Sequence, residues 1–126
     1  MNIKNFKIEA SFENRILSVK FLENAVIDEA DIQAIYTFGN EKAMRKAYCI
    51  IFEASGHYEL TEEAVQYMAT NPNNANILAK VYVINTKEAE RKTKLHLAFD
   101  KPELKPLIFN TAQEGLNYLT AIINKN

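Results

Sequence analysis

Glycine, proline and cysteine are all scarce in this chain, and each shortage excludes something. Three Gly and three Pro among 126 residues are too few for a disordered or linker-rich protein. One cysteine rules out an internal disulfide framework and gives neither a CxxC pair nor a zinc-ligand spacing. A reducing, cytoplasmic setting fits. No run of about 18 apolar residues is present, so the chain is not expected to be transmembrane. The opening MNIKNFKIEASFE is polar at alternate positions and has no apolar core of a secretory signal. Charge of one sign is lacking too. Fifteen Lys and Arg against sixteen Asp and Glu leave a formal net charge of −1, which argues against bulk electrostatic binding of nucleic acid. There is no GxGxxG or Walker-type loop to cradle a nucleotide, and no cofactor is expected. Repeats, low-complexity tracts and domain boundaries are also missing. One domain is expected over residues 1–126, and at that size it can bury roughly two-thirds of its unfolded surface.

What the chain does contain is alternation. Phe6, Ile8, Ala10 and Phe12 alternate with Lys7, Glu9, Ser11 and Glu13, the period-two pattern of an outer strand with one wet face. Glu13-Asn14-Arg15 turns the chain. Leu17, Val19 and Phe21 then mark the core side of a second strand, and the two form an antiparallel hairpin. Asp28 is a good N-cap for a helix, with Asp31 as an acidic capping-box partner and Ile27 and Ile32 at the staple positions. Ile32, Ile35, Tyr36, Ala43 and Met44 supply its inward face. Gly39-Asn40 is either a tolerated weak point or a break, and one helix ending near Arg45 is the favoured reading.

Lys46–Tyr67 is the centre of the pattern. Tyr48, Ile50 and Phe52 point one way from a strand and Cys49 and Ile51 the other, so the strand has no polar face and lies inside a helix-covered sheet. Thr61 caps the next helix, whose first turn carries Glu62 and Glu63 and whose apolar face is Ala64, Val65, Met68 and Ala69. Asn71–Asn76 stops it. Ile77 to Asn85 is another internal strand, with Val81 and Val83 on one side and Tyr82 and Ile84 on the other. Asn85 and Glu88 open a third helix reaching about Phe99. After a connector bracketed by Pro102 and Pro106, Leu107-Ile108-Phe109 is a short last strand. Thr111, with Glu114 as its box partner, caps a final helix bearing the stripe Ala112, Leu116, Leu119, Thr120 and Ile123. The order β-β-α-β-α-β-α-β-α implies an α/β fold with a mostly parallel five-stranded sheet and one antiparallel edge strand.

That order, and the run Glu53-Ala54-Ser55-Gly56-His57-Tyr58-Glu59-Leu60-Thr61-Glu62-Glu63-Ala64, resemble the STAS domain. This is the module shared by sulfate transporters and bacterial anti-sigma-factor antagonists, and the antagonists carry D-L-S-G-x-x-x-I-D-S-S-G at this place. Glu53 aligns with the strand-end acid, Ser55-Gly56 with the Ser-Gly and Leu60 with the apolar residue before the cap. Thr61 takes the place of the capping Asp. Glu62 replaces the serine that a partner kinase phosphorylates, Glu63 the next serine and Ala64 the glycine. The resemblance therefore implies a STAS-like fold and a partner-binding surface. It leaves the phosphorylation switch without its hydroxyl, since Glu62 holds one fixed charge where a phosphoserine holds nearly two. The second half, through Lys80–Ile84, Lys101–Phe109 and Ala112–Leu119, is similar to a less characterised group of small bacterial STAS-like proteins.

The partner-binding candidates are Ser55, Gly56, His57, Tyr58, Glu59, Thr61 and Glu62. His57 and Glu59 are the best residues for acid–base chemistry, but no nucleophile, metal-ligand set or glycine cradle accompanies them, so no catalytic residue is assigned and the chain reads as a non-enzymatic interaction module with an unknown protein partner. Cys49, on a buried strand, reads as packing. Lys87, Arg91, Lys92 and Lys94 share their helix with Glu88 and Glu90, the mixed charge of a solvated face, and His96 reads as packed or half-exposed. The alternative is a carrier of a small apolar ligand or lipid, with Tyr36, Tyr48, Tyr58, Tyr67 and Tyr82 around a cavity instead of filling the core. A homodimer is compatible with so small a module, although no residue pattern specifies one.

Overall fold

Asn14 and Arg15 both adopt positive φ, 54° and 64°, which makes the first turn a two-residue hairpin of the kind whose twist matches its strands. The computed structural model describes residues 2–4, 7–54, 56–70, 76–84, 86, 87, 90, 91 and 107–125. Its strands are β1 (Asn2–Lys4), β2 (Ile8–Glu13), β3 (Ile16–Phe21), β4 (Val26–Ile27), β5 (Tyr48–Glu53), β6 (Glu59–Leu60), β7 (Ile77–Val83) and β8 (Leu107–Phe109). Its helices are α1 (Glu29–Lys42), α2 (Glu62–Thr70) and α3 (Ala112–Asn124).

The main sheet has the order β1-β2-β3-β5-β7-β8. The β3–β5, β5–β7 and β7–β8 ladders are parallel, and the hairpin partner β2 runs antiparallel to β3. The expected mostly parallel α/β sheet is therefore present. A sixth strand, β1, is added outside β2 by antiparallel pairing of Asn2 with Ser11 and Lys4 with Glu9, so the antiparallel β2 is no longer the edge.

Alternation along β5 divides the core in two. Tyr48, Ile50 and Phe52 join Leu17, Val19, Phe21 and the inward residues of α1 and α2 on one face. Cys49 and Ile51 join Val81, Val83 and Leu119 of α3 on the other. Two glycines set helix-to-sheet distances. A Cβ on Gly115 would lie 2.9 Å from both Ile51 Cδ1 and Val81 Cγ1, and one on Gly39 would lie 2.9 Å from Leu17 Cδ2 and 3.0 Å from the Tyr48 hydroxyl. Gly39 thus lets α1 close onto β3 and β5 without breaking the helix.

Asp28 and Asp31 form the expected capping box at the start of α1. The helix ends at Lys42, short of Arg45. Met44, expected on the inward face, is 78% exposed, because Met44 and Arg45 turn to φ of 55° and 62° and leave the helical path. Phe38 is buried in its stead. On α3, Thr111 caps as expected, but Thr120 is exposed, and Gly115 and Leu119 carry the buried stripe. Phe6, Ser55, the side chain of Ala69, residues 71–75, Asn85, Glu88, Ala89 and residues 92–106, with Lys92, Lys94, His96 and the proline-bracketed connector, lie outside the described residues. Of the helix expected from Asn85, Lys87 and Arg91 are exposed, and Glu90 N–H donates to the Thr86 carbonyl over one helical turn.

Candidate functional site

The loop after β5 is tied down along its backbone. β6 pairs in parallel with β4, Val26 opposite Glu59 and Ile27 opposite Leu60. Asn24 N–H donates to the His57 carbonyl at 2.6 Å, Glu59 N–H to Ala25 at 2.9 Å and Thr61 N–H to Ile27 at 3.0 Å. This second, two-stranded ladder stands at the carboxyl ends of β3 and β5, where open α/β sheets commonly meet ligands and partners. It is built from segments more than thirty positions apart in sequence, so no local signal announces it.

His57 forms a histidine–carboxylate pair, but with Glu23 instead of Glu59. Its Nδ1 lies 2.9 Å from Glu23 Oε1, and its backbone N–H donates to Glu23 Oε2 at 3.4 Å. The side chains are 73% and 60% exposed, so the pair lies in water and joins two loop segments. Gly56 is exposed beside it, and a Cβ there would come within 3.2 Å of Glu23 Oε2. Tyr58 is drawn inside. It is buried and packs on the Phe21 ring with centroids 4.9 Å apart, which corrects its assignment to a partner-facing surface. Thr61 is half-buried and caps α2, its Oγ1 accepting from Ala64 N–H at 3.1 Å. Glu59, Glu62 and Glu63 are exposed. Val26, a large apolar residue, is 51% exposed among them. A shallow cleft of about 510 Å³ runs beside Val26, between Lys7, Glu23, Asp28 and Thr61. Lys7 bonds Asp31 at 2.9 Å, and that contact raises the Lys7 pKa. Asp28 is held below the usual carboxylate range, chiefly by the Asp31 backbone N–H.

Along this tied-down segment Gly56, His57, Glu59 and Glu62 are exposed and Thr61 is half-buried, while Tyr58 packs inward on Phe21. Ser55 falls outside the described residues. No group of three metal-ligating side chains occurs among the described residues. Cys49 is fully buried, and burial pushes its thiol up to about 11, which suits packing better than nucleophilic use. The tyrosines pack ring on ring: Tyr82 stacks on Phe52, Phe52 on Phe21, and Tyr36 on Tyr67.

One residue escaped the sequence reading. Lys80, in the middle of β7, is only 2% exposed. Its ammonium donates to the Met68 carbonyl at 3.0 Å and lies 5.8 Å from the centre of the Tyr36 ring. Met68 belongs to the last turn of α2, which has no basic residue of its own. A strand lysine thus supplies the C-terminal carbonyl and the helix dipole with the cation that the helix lacks. Position 80 shares its side of the strand with Tyr82 and Ile84, so the alternation itself placed a lysine inward.

Residues 10–123 match the family described as Domain of unknown function (DUF7793). The chain belongs to that family. Among solved structures, this DUF7793 chain is similar to an uncharacterized protein from the DUF3478 family of Shewanella loihica PV-4, described as having a SpoIIAA-like fold. The likeness covers 94% of this chain and 98% of that one, with a TM-score of 0.62 and 12% sequence identity. At that identity it is the fold that the two share, and it is the STAS-like fold. No curated protein matches the chain. No helix among the described residues is long and apolar enough to cross a membrane.

Proposed function

We propose that the chain is a non-enzymatic, STAS-like interaction module that presents the ridge from Gly56 to Glu63 to a protein partner. The observation that carries this reading is the β4–β6 ladder. It fixes an exposed loop at the carboxyl end of the sheet through backbone bonds, so the side chains of His57, Glu59 and Glu62 are displayed on a rigid support. The ridge is acidic, with Val26 as an apolar centre, and a basic segment with an apolar anchor is the complementary partner. Glu62 stands in the first turn of α2, at the position aligned with the phosphorylated serine of the antagonists. A carboxylate there gives a constant charge, so binding at this surface is constitutive and not gated by a kinase.

The test is a quantitative pull-down from the source cells with wild type, Glu62→Lys and Val26→Asp, each checked for folding by circular dichroism. A partner retained by the wild type and lost from both variants supports the reading. The same proteins on all three baits, or none on any, removes this surface from consideration.

A further inference from the structure

A groove of about 490 Å³ lies on the other face of the sheet, away from the ridge. Its floor is the outward face of β2 and β3, its far end is Ile51 and Glu53 of β5, and its wall is Ala112 and Leu116 of α3. The size is that of a small-molecule site. The wet face of an outer hairpin accounts for the polar residues on its floor one by one. It does not account for their arrangement beside an apolar wall.

Three features make up that arrangement. Ser11 and Ser18 are directly opposite in the β2–β3 register, and two small side chains here form a hollow where the same sheet face carries Ile51, Val81 and Val83 further on. Ala10 and Val19 line the groove by their backbone, since their side chains belong to the opposite core. Lys20 lies between two carboxylates in register, Glu9 on β2 and Glu53 on β5. Neither Lys20 nor Glu53 is engaged in an ion pair among the described residues. Both side chains therefore line the groove with no ion pair between them. Finally, Gly115 lets α3 approach Ile51 and Val81 closely, which brings Leu116 and Ala112 over the edge of the hollow as an apolar wall.

A carboxylate–ammonium–carboxylate row is complementary to a ligand carrying both an ammonium and a carboxylate. We propose that this groove binds a free amino acid with an apolar side chain. The ligand's carboxylate meets Lys20, its ammonium meets Glu53, the serine hydroxyls bond its polar end, and its side chain lies against Ile51, Ala112 and Leu116. This site is separate from the partner-binding ridge, and either can fail without the other.

The test uses the ¹⁵N-labelled full chain titrated with leucine, 4-methylpentanoic acid (which lacks the ammonium) and isopentylamine (which lacks the carboxylate). Leucine is expected to shift the amide signals of Ser11, Ser18, Lys20 and Ile51 and to saturate with a Kd near ~1 mM. Each analogue is expected to bind about tenfold more weakly, as the loss of one charge-assisted bond requires. Lys20→Met and Glu53→Gln should each weaken leucine by a similar factor while keeping a folded spectrum, and Glu62→Lys on the ridge should leave it unchanged. The proposal is overturned by no shift at about 10 mM leucine, ten times that Kd. It is equally overturned by shifts that map elsewhere, by an analogue binding as tightly as leucine, or by both groove variants binding like wild type.

Discussion

Replacing Tyr48 with phenylalanine removes one oxygen from the larger core. Tyr48 is fully buried, and among the described residues no group hydrogen-bonds its hydroxyl. A buried hydroxyl without a partner costs about 1–3 kcal/mol relative to water. The oxygen's dispersion contacts return only about 0.5 kcal/mol at ~0.1–0.2 kcal/mol each. Tyr48→Phe is therefore expected to stabilise the protein by about 1–2 kcal/mol, where loss of a hydrogen-bonded hydroxyl would destabilise it by about as much. For a chain of 126 residues this is a rise in Tm of roughly 3–7 °C. The change also couples to Gly39. A Cβ on Gly39 would meet the Tyr48 hydroxyl and Cε2 at 3.0 Å each, so Gly39→Ala sets a gain in helix propensity of about 1 kcal/mol against an overpacking cost of about 1–3 kcal/mol. In the Tyr48→Phe background one of those contacts is gone, and Gly39→Ala should be less costly there by about 0.5–1 kcal/mol. Urea denaturation of the two single variants and the double variant measures both terms. A Tyr48→Phe protein that is less stable than wild type by about 1 kcal/mol or more would show that the hydroxyl has a bonding partner and is not a buried cost.

Arg15 holds the hairpin to β5 through bonds from Nε and Nη2 to the Ala47 carbonyl at 3.0 and 2.7 Å. Arg15→Ala should lose about 1–2 kcal/mol in denaturant melts, and Arg15→Gly less, because glycine relieves the positive φ. Lys80→Met, which keeps most of the volume but removes the ammonium's bond to the Met68 carbonyl, should cost about 1–3 kcal/mol, with the amides of α2 exchanging faster by hydrogen–deuterium exchange. Asp28→Ala removes the cap of α1 and should lower the urea midpoint with an unchanged slope. Cys49 has its pKa raised from 9.0 to about 11 by burial. The folded state therefore keeps a proton that the unfolded state gives up, so the stabilisation is complete below pH 9 and is lost as pH rises from 9 towards 11. In Cys49→Ala, urea midpoints across that window should fall less steeply than in wild type.

The strands were legible because their alternation is local and strict. Tyr48, Ile50 and Phe52 against Cys49 and Ile51 needed only parity to be assigned to opposite cores, and Asp28 and Thr111 were recognisable as caps from three-residue spacings. What was missed depends on contacts distant in sequence or on single backbone angles. The helical pattern of the sequence continues to Met44, but two left-handed residues end the helix itself. Gly39 reads as a weak point in sequence because its reason, the approach of Leu17 and Tyr48, lies on other elements. β1 is three residues long, too short for a period, and exists through pairing with β2. Tyr58 was placed with its exposed neighbours, whereas the β4–β6 pairing turns it onto Phe21. The Glu23–His57 contact spans 34 positions and had no local sign. Lys80 is different, because the alternation of β7 already pointed it inward.

The ladder of β4 and β6 also gives the ridge a stability of its own. It is only two residue pairs long and shares no strand with the main sheet, so it can open while the six-stranded sheet stays closed. The amides of Asn24, Glu59 and Thr61, which bond across it, then form one exchange group whose protection measures that local opening, well below the protection of β5 and β7. A substitution that loosens the ladder would change how often the ridge is assembled while lowering the stability of the whole protein by no more than the ladder's own opening free energy.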